Sequence, residues 1–321
     1  MTRRGSSDDD RAGGVPWQVK FMLLALIWGA SFLFIKAALG LLQPLQVGAG
    51  RILLGAATTG ALAAAARARM PRSWRVWAHL QVTSLLLCTL PFLLFPVGEE
   101  RVSSALAGIG NAITPVATVL ATAALLPHET FSRRKLLAVA GGFVGVVVIM
   151  APWRVTERPD LWGFGATLVA GCCYGLGWTY IKRFLRPEDL PGLALPAAQL
   201  LSAAGQITLV TVGWWALQRD SLSAPWSPRP DAATPGMALL ALLALGVLGT
   251  GLAYALQFDV FRAVGQQVSS TVTYLIPVVA VLLGVLVLGE HLTATEVIGF
   301  VIVLASAIVI GLPEPSRRVP S

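Results

Sequence analysis

The sequence predicts an all-α integral membrane protein, with ten transmembrane helices arranged as two inverted five-helix repeats. Three observations predict it. The 321 residues are 55% hydrophobic and only 12% charged, with a mean hydropathy of +0.72. A soluble domain carries about 25% charged residues, so this chain cannot coat itself with a water-facing surface. Apolar runs of about 20 residues, the length a helix needs to cross a bilayer, follow one another along almost the whole chain. Finally, WGASFLFIK at 28–36 in the first run returns as YGLGWTYIK at 174–182.

Residues 1–16 are polar, mixed in charge and rich in Gly and Ser, the composition of a disordered tail. The run at 17–40 is too long for a signal-peptide core and carries no convincing cleavage site, so it stays as the first span. Further spans are expected at 44–66, 75–97, 102–126 and 133–151, then at 161–182, 192–217, 236–259, 267–289 and 294–312. The connectors are short and edged by Pro, Gly or charge. Only 218–235 is longer, and its prolines suit an extended surface loop. Residues 313–321 form a second tail.

Orientation follows from lysine and arginine in the loops. The N-terminus, the loops near 70, 134, 185 and 262, and the C-terminus together hold 17 of these residues. The opposite loops hold five: Arg101, Arg154, Arg158, Arg219 and Arg229. Both termini are therefore expected in the cytoplasm, and an even number of spans agrees, because it puts the two termini on one side.

The repeated motifs fall in the first and sixth spans, five crossings apart, so the second copy runs in the opposite sense. Lys36 then ends its helix outside and Lys182 ends its own inside. TPVATVLA at 114–121 in the fourth span echoes IPVVAVLL at 276–283 in the ninth. Both echoes follow a VSS, and both precede a Glu with a helix-starting Ser or Thr. Inverted repeats of this kind are a hallmark of secondary transporters.

At these residues the chain resembles the drug/metabolite transporter superfamily in its ten-helix EamA-type branch. The points of likeness are WGASFLFIK, Arg51 after Pro44, Pro115 with the following Glu129, and Pro277 followed by LGEHLT. His128 stands where the family usually has Gly. The resemblance implies EamA-type repeats at 17–151 and 161–312. It also implies a multi-pass carrier in the plasma (inner) membrane, moving small organic metabolites or drugs by alternating access, with export the favoured direction. It leaves open the substrate, the coupling ion (a proton among the candidates) and a homodimeric assembly.

Polar groups at helical spacing mark faces that do not meet lipid. The fourth span carries Ser104, Gly108, Asn111, Pro115, Thr118 and Thr122 at such spacing. The third carries Gln81, Ser84, Cys88 and Phe92, and the eighth Thr250, Tyr254, Gln257 and Phe261. Small and hydroxyl residues of these faces serve helix packing equally well. Asn111 and Gln257 are harder to leave unpaired in hydrocarbon. With Trp28, Tyr174, Trp178, Tyr254 and Tyr274 they are the substrate-binding candidates. Trp74, Trp77, Trp153 and Trp162 fit interfacial belts instead. Charges near the membrane give a second set, Lys36, Arg51, Glu99, Glu100 and Glu290, as gating or ion-pair candidates. Arg51 is expected to snorkel outward, to pair with Glu99 or Glu100 in one transport state, or to serve as a direct ligand for an anionic substrate.

Other classes fare poorly. No basic stripe with interleaved aromatics suggests nucleic acid. Cys88, Cys172 and Cys173 lie in apolar runs and read as buried packing residues. His128-Glu129 begins like HExxH but has Ser132 in place of the second histidine, and no strand precedes GVLGTG. No enzyme, metal site or cofactor is expected. Within carriers, an importer or exchanger of nucleotide sugars or phosphate esters demands several cavity cations, and only Lys36 and Arg51 are candidates. An uncharged, zwitterionic or aromatic solute fits better. A non-transporting sensor is a weaker alternative.

Overall fold

The computed structural model describes residues 15–129, 131–154, 160–185, 192–218, 223–229, 235–276, 278–279 and 293–312, and every regular element among them is helical. Helix α1 is Trp17–Leu39, α2 Pro44–Ala65 and α3 Trp74–Glu99. α4 comes in two halves, Ser104–Ala112 and Thr114–Leu125. α5 is Arg133–Met150, α6 Leu161–Phe184, α7 Ala194–Leu217 and α8 Pro235–Ser270. Residues 272–276 form α9, and α10 is Ala294–Gly311.

Six stretches are long and apolar enough to cross a membrane: Trp17–Leu39, Pro44–Ala65, Trp74–Glu99, Leu106–Leu125, Ala194–Leu217 and Pro235–Ser270. Of the other expected spans, α5 opens on Arg133, Arg134 and Lys135, and glycines and aromatics dilute α6. Most of the ninth span lies outside the described residues.

Local chemistry explains where these helices start and bend. Ser103, Ser132 and Asp160 cap α4, α5 and α6, accepting from the backbone N–H of Leu106, Lys135 and Gly163. The Gly163 bond, with Arg101 at 3.6 Å, holds the Asp160 carboxyl below its usual range. Pro115 has no N–H for the carbonyl of Asn111, and α4 breaks at Ile113; the Thr114 hydroxyl donates to that carbonyl instead, at 2.7 Å. A π-helical turn occupies Leu85–Thr89 in α3, and a longer π-helical stretch Ala244–Leu252 in α8.

The sequence ends the eighth span at 259 and starts the ninth at 267. The helix runs a few residues further, and at Gly265 (φ 77°, ψ 174°) the chain leaves helical geometry, so that residues after it belong to a second helix joined to the first across this kink. No breaker precedes that glycine. Its backbone conformation is open essentially to glycine alone.

The first five helices pack largely on the later ones: α5 on α10, α2 on α7 and α8, α3 and α4 on α6, and α1 on α8. Glycines set some of these approaches. A Cβ on Gly175 would sit 2.6 Å from Ala117 Cβ, and one on Gly145 would sit 2.9 Å from Val303. Cys88 and Cys173 are buried, but Cys172 is exposed, because it lies on the outward face of α6. Trp74, Trp153 and Trp162 are exposed at helix ends.

Polar contacts sort the loops into two ends. At one end Lys36 donates to the Glu99 carbonyl (2.7 Å), Gln46 to the carbonyls of Pro225 and Ser227 (both 3.0 Å), and Arg229 pairs with Glu100. At the other end Lys20 pairs with Asp259 (2.7 Å), Lys182 with Glu129 (2.6 Å), and Arg262 bridges Asp259 and the Gly192 carbonyl.

Candidate functional site

Halfway along the bundle, α1–α4 face α6, α8 and the start of α9 across a chamber with about 600 Å³ of space unoccupied by protein atoms, part of it open to solvent. Trp28, Asn111, Tyr174, Trp178, Tyr254 and Gln257 all line it, although they come from four different helices. Its walls are mainly aromatic and aliphatic, with a few polar groups, the usual makeup of a small-molecule site.

Arg51 also lines the chamber and is 4% exposed. It neither snorkels nor reaches a carboxylate in this structure. Its Nε donates to Thr250 Oγ1 at 3.1 Å, and its Nη2 approaches the Gly249 carbonyl at 3.5 Å. The guanidinium lies 3.9 Å from the Phe92 ring centroid, a cation–π contact. The π-helical stretch of α8 presents the Gly249 carbonyl, which also accepts from Trp28 Nε1 at 3.0 Å. On the opposite wall, Pro91 cannot donate to the Leu87 carbonyl, and the Tyr254 hydroxyl donates there instead. The two irregular turns thus anchor Trp28, Arg51 and Tyr254.

The aromatic lining is layered. Trp178 packs on Phe258 and Phe261 at centroid distances of 5.3 and 5.4 Å, and Tyr174 stacks on Phe95 at 6.0 Å. Gln257 donates Nε2 to Ser269 Oγ at 2.7 Å, which leaves its Oε1 without a partner. Asn111 Oδ1 is buried and unpartnered as well. Among the described residues, the chamber lining therefore includes one cation, and two of its side chains, Asn111 and Gln257, each carry a buried acceptor oxygen with no donor.

Other expected residues lie elsewhere. Tyr274 does not line the chamber: it is fully buried and donates its hydroxyl to the Val139 carbonyl at 2.7 Å. Its neighbours Thr273 and Ile276 face the chamber, so the helical turn carries Tyr274 onto α5. Lys36 and Glu99 sit just beyond the chamber, past Ile35 and Phe95, and Glu100 is held by Arg229. Glu290 lies outside the described residues.

The expected face of α3 is split by its π-helical turn, which adds a residue and rotates what precedes it. Phe92 lines the chamber, while Ser84 donates to the Gln199 carbonyl at 2.7 Å and Gln81 accepts from Gln206 at 2.8 Å. Sequence reasoning missed Phe95, three residues after Phe92, and Ser31, three after Trp28; both spacings were there to be read.

Membrane-crossing helices that close around a mid-length chamber define a membrane transporter. The sequence profile of the EamA-like transporter family matches residues 15–151 and again 161–312, and the chain belongs to that family. Among its relatives, Protein PecM of Dickeya dadantii is 24% identical over 284 residues, 88% of each chain. A "Probable amino-acid metabolite efflux pump" of Salmonella typhimurium is 23% identical, covering 88% of this chain and 91% of its own. An S-adenosylmethionine/S-adenosylhomocysteine transporter of Chlamydia trachomatis serovar L2 is 24% identical, covering 84% and 80%. A solved crystal structure shares the fold, with a TM-score of 0.68 at 20% identity, over 91% of this chain and 95% of that one.

Proposed function

We propose that this protein is a secondary carrier, not an enzyme, and exports a small carboxylate-bearing organic solute across the plasma membrane by alternating access. In this reading ten helices cross the membrane as inverted repeats at 17–151 and 161–312, with both termini in the cytoplasm. The double profile match and the sorting of loop contacts into two ends support that topology. Export is favoured by the named efflux pump among the relatives.

Arg51 carries the substrate reading. It is a buried, permanently charged guanidinium with no carboxylate partner, and it lines the chamber. A solute carboxylate supplies the missing charge. Asn111 Oδ1 and Gln257 Oε1 then accept from an ammonium or N–H group, while Trp178 and Tyr254 pack on an apolar or aromatic body. A phosphate ester is less suited, because Arg51 is the one chamber cation among the described residues and Lys36 is committed to the Glu99 carbonyl.

A thermal-shift screen of purified protein against amino acids, nucleobases and cationic dyes tests this. Aromatic compounds with a carboxylate should raise Tm, and Arg51→Gln should erase the effect. Stabilisation by cationic dyes alone would contradict it.

A further inference from the structure

The described residues contain one buried carboxylate that the solute site does not use. Glu99 ends α3 one turn past Phe95, and its side chain is 0% exposed. Oε2 accepts from Ser104 Oγ at 3.0 Å, and Oε1 has no donor at all. The facing cations are Lys36 on α1 and Arg51 on α2, and neither comes within 4.0 Å of the carboxylate. Lys36 donates to the main-chain carbonyl of Glu99 instead, and Arg51 is bound to α8. The neighbouring charges are already committed, Glu100 to Arg229 and Arg101 to Asp160 at the start of α6.

A carboxylate buried with an empty lone pair and no ion partner is costly to keep charged. Two remedies exist, a metal ion or a proton. Two carboxylate oxygens and one hydroxyl are too few for an ion such as Ca²⁺, which takes about six to eight oxygens. A proton needs only the carboxylate itself.

We propose that Glu99 is a proton-binding site linked to solute loading: its carboxylate takes up one proton when a solute carboxylate occupies Arg51. The linkage rests on the carrier reading above; the proton site itself does not. Arg51 lines the chamber together with Phe95, and Glu99 follows Phe95 by one helical turn, so the positive charge at Arg51 favours the charged form of Glu99 through space. A carboxylate bound there cancels that field, so protonation becomes easier. Binding linkage is reciprocal, so acidification must tighten the solute by the same factor. Solute and proton then travel together, and efflux down a solute gradient carries a proton outward with it.

The test is infrared difference spectroscopy of the full chain in proteoliposomes, acidic minus alkaline. Glu99→Gln, Glu99→Asp and Ser104→Ala are measured beside the wild type. Beyond the absorption that the other carboxyls give in every variant, one protonated-carboxyl band should grow in the wild type as pH falls, shift in Glu99→Asp and vanish in Glu99→Gln. Should Glu99→Gln not fold, Ser104→Ala decides. Loss of a donor to the charged form should move the midpoint of that band to higher pH, and an unmoved midpoint overturns the proposal. Persistence of that band in Glu99→Gln, or its removal by sodium at fixed pH, also overturns it. Radiolabelled phenylalanine is the transport probe. Its counterflow at equal pH should persist in Glu99→Gln and lose its pH dependence; retained dependence contradicts the linkage. Absence of counterflow in the wild type counts against the carrier reading, and the infrared band still decides the proton site.

Discussion

Arg51 shows how a single side chain can define a site. A guanidinium keeps its charge under any physiological condition, so burial forces it to find compensation. Here that compensation is a hydroxyl, a carbonyl and an aromatic face, all weaker partners than a carboxylate. A hydrogen bond to a charged group contributes about 1.5–3 kcal/mol, roughly tenfold to a hundredfold in Kd. Arg51→Gln should therefore weaken a carboxylate solute by that factor and its neutral amide far less, which isothermal titration of the pair would show. Arg51→Lys should not restore affinity, because an ammonium lacks the planar fork.

Trp178→Ala and Tyr254→Ala should abolish transport while the protein still folds; loss of folding in both would make their role structural. Tyr254→Phe isolates one bond. It strands the Leu87 carbonyl, at about 1–3 kcal/mol, read as a lowered Tm. The sequence marks Arg51 as unusual, a charge inside an apolar run. It does not reveal which way the side chain points, since Thr250 lies 199 residues away in the chain. Contacts of that range have no periodic signature.

At the scale of elements, the breaks in the helices matter more than their regular parts. Pro91 with the π-helical turn of α3, and the π-helical stretch of α8, each release a backbone carbonyl to a side chain of a neighbouring helix, while the carbonyl freed at the Pro115 break is taken up by Thr114 of α4 itself. Helix starts among the described residues were legible to within a few residues, because apolar run length fixes them, while the eighth helix ends later than expected, at the Gly265 kink. The face of α3 was not legible, because a π-helical turn interrupts the 3.6-residue period, and nothing in composition announces it. Tyr274 failed for a related reason: a one-residue offset around α9 exchanges chamber for core.

Gly265 gives a clean test of the α8 break. Gly265→Ala forces a side chain into a glycine-only conformation and should cost about 1–3 kcal/mol, measured by thermal unfolding in detergent. Asp160 gives a pH test. Its carboxyl is held low in the folded protein, so the capping contribution is present at neutral pH and above the ordinary carboxylate range. It fades as pH falls through the depressed value, and Asp160→Asn should flatten that acid limb of the Tm–pH curve.

For the whole molecule, the two repeats make one prediction that needs no substrate. In the proposed topology loop charge puts Ser103 and Ser132 on opposite sides, and the ion pairs nearest to them, Arg229–Glu100 and Lys182–Glu129, fall at opposite ends of the bundle. An impermeant thiol reagent outside the cell should label a cysteine at Ser103 and spare one at Ser132. The most direct measurement of the carrier account places a single cysteine at Asn111, on the chamber wall, with Cys88, Cys172 and Cys173 replaced by alanine. The same reagent is then applied to right-side-out and inside-out vesicles. Alternating access predicts labelling from both sides, with each rate changed when a stabilising solute is present. Labelling from one side alone, or from neither, would contradict it.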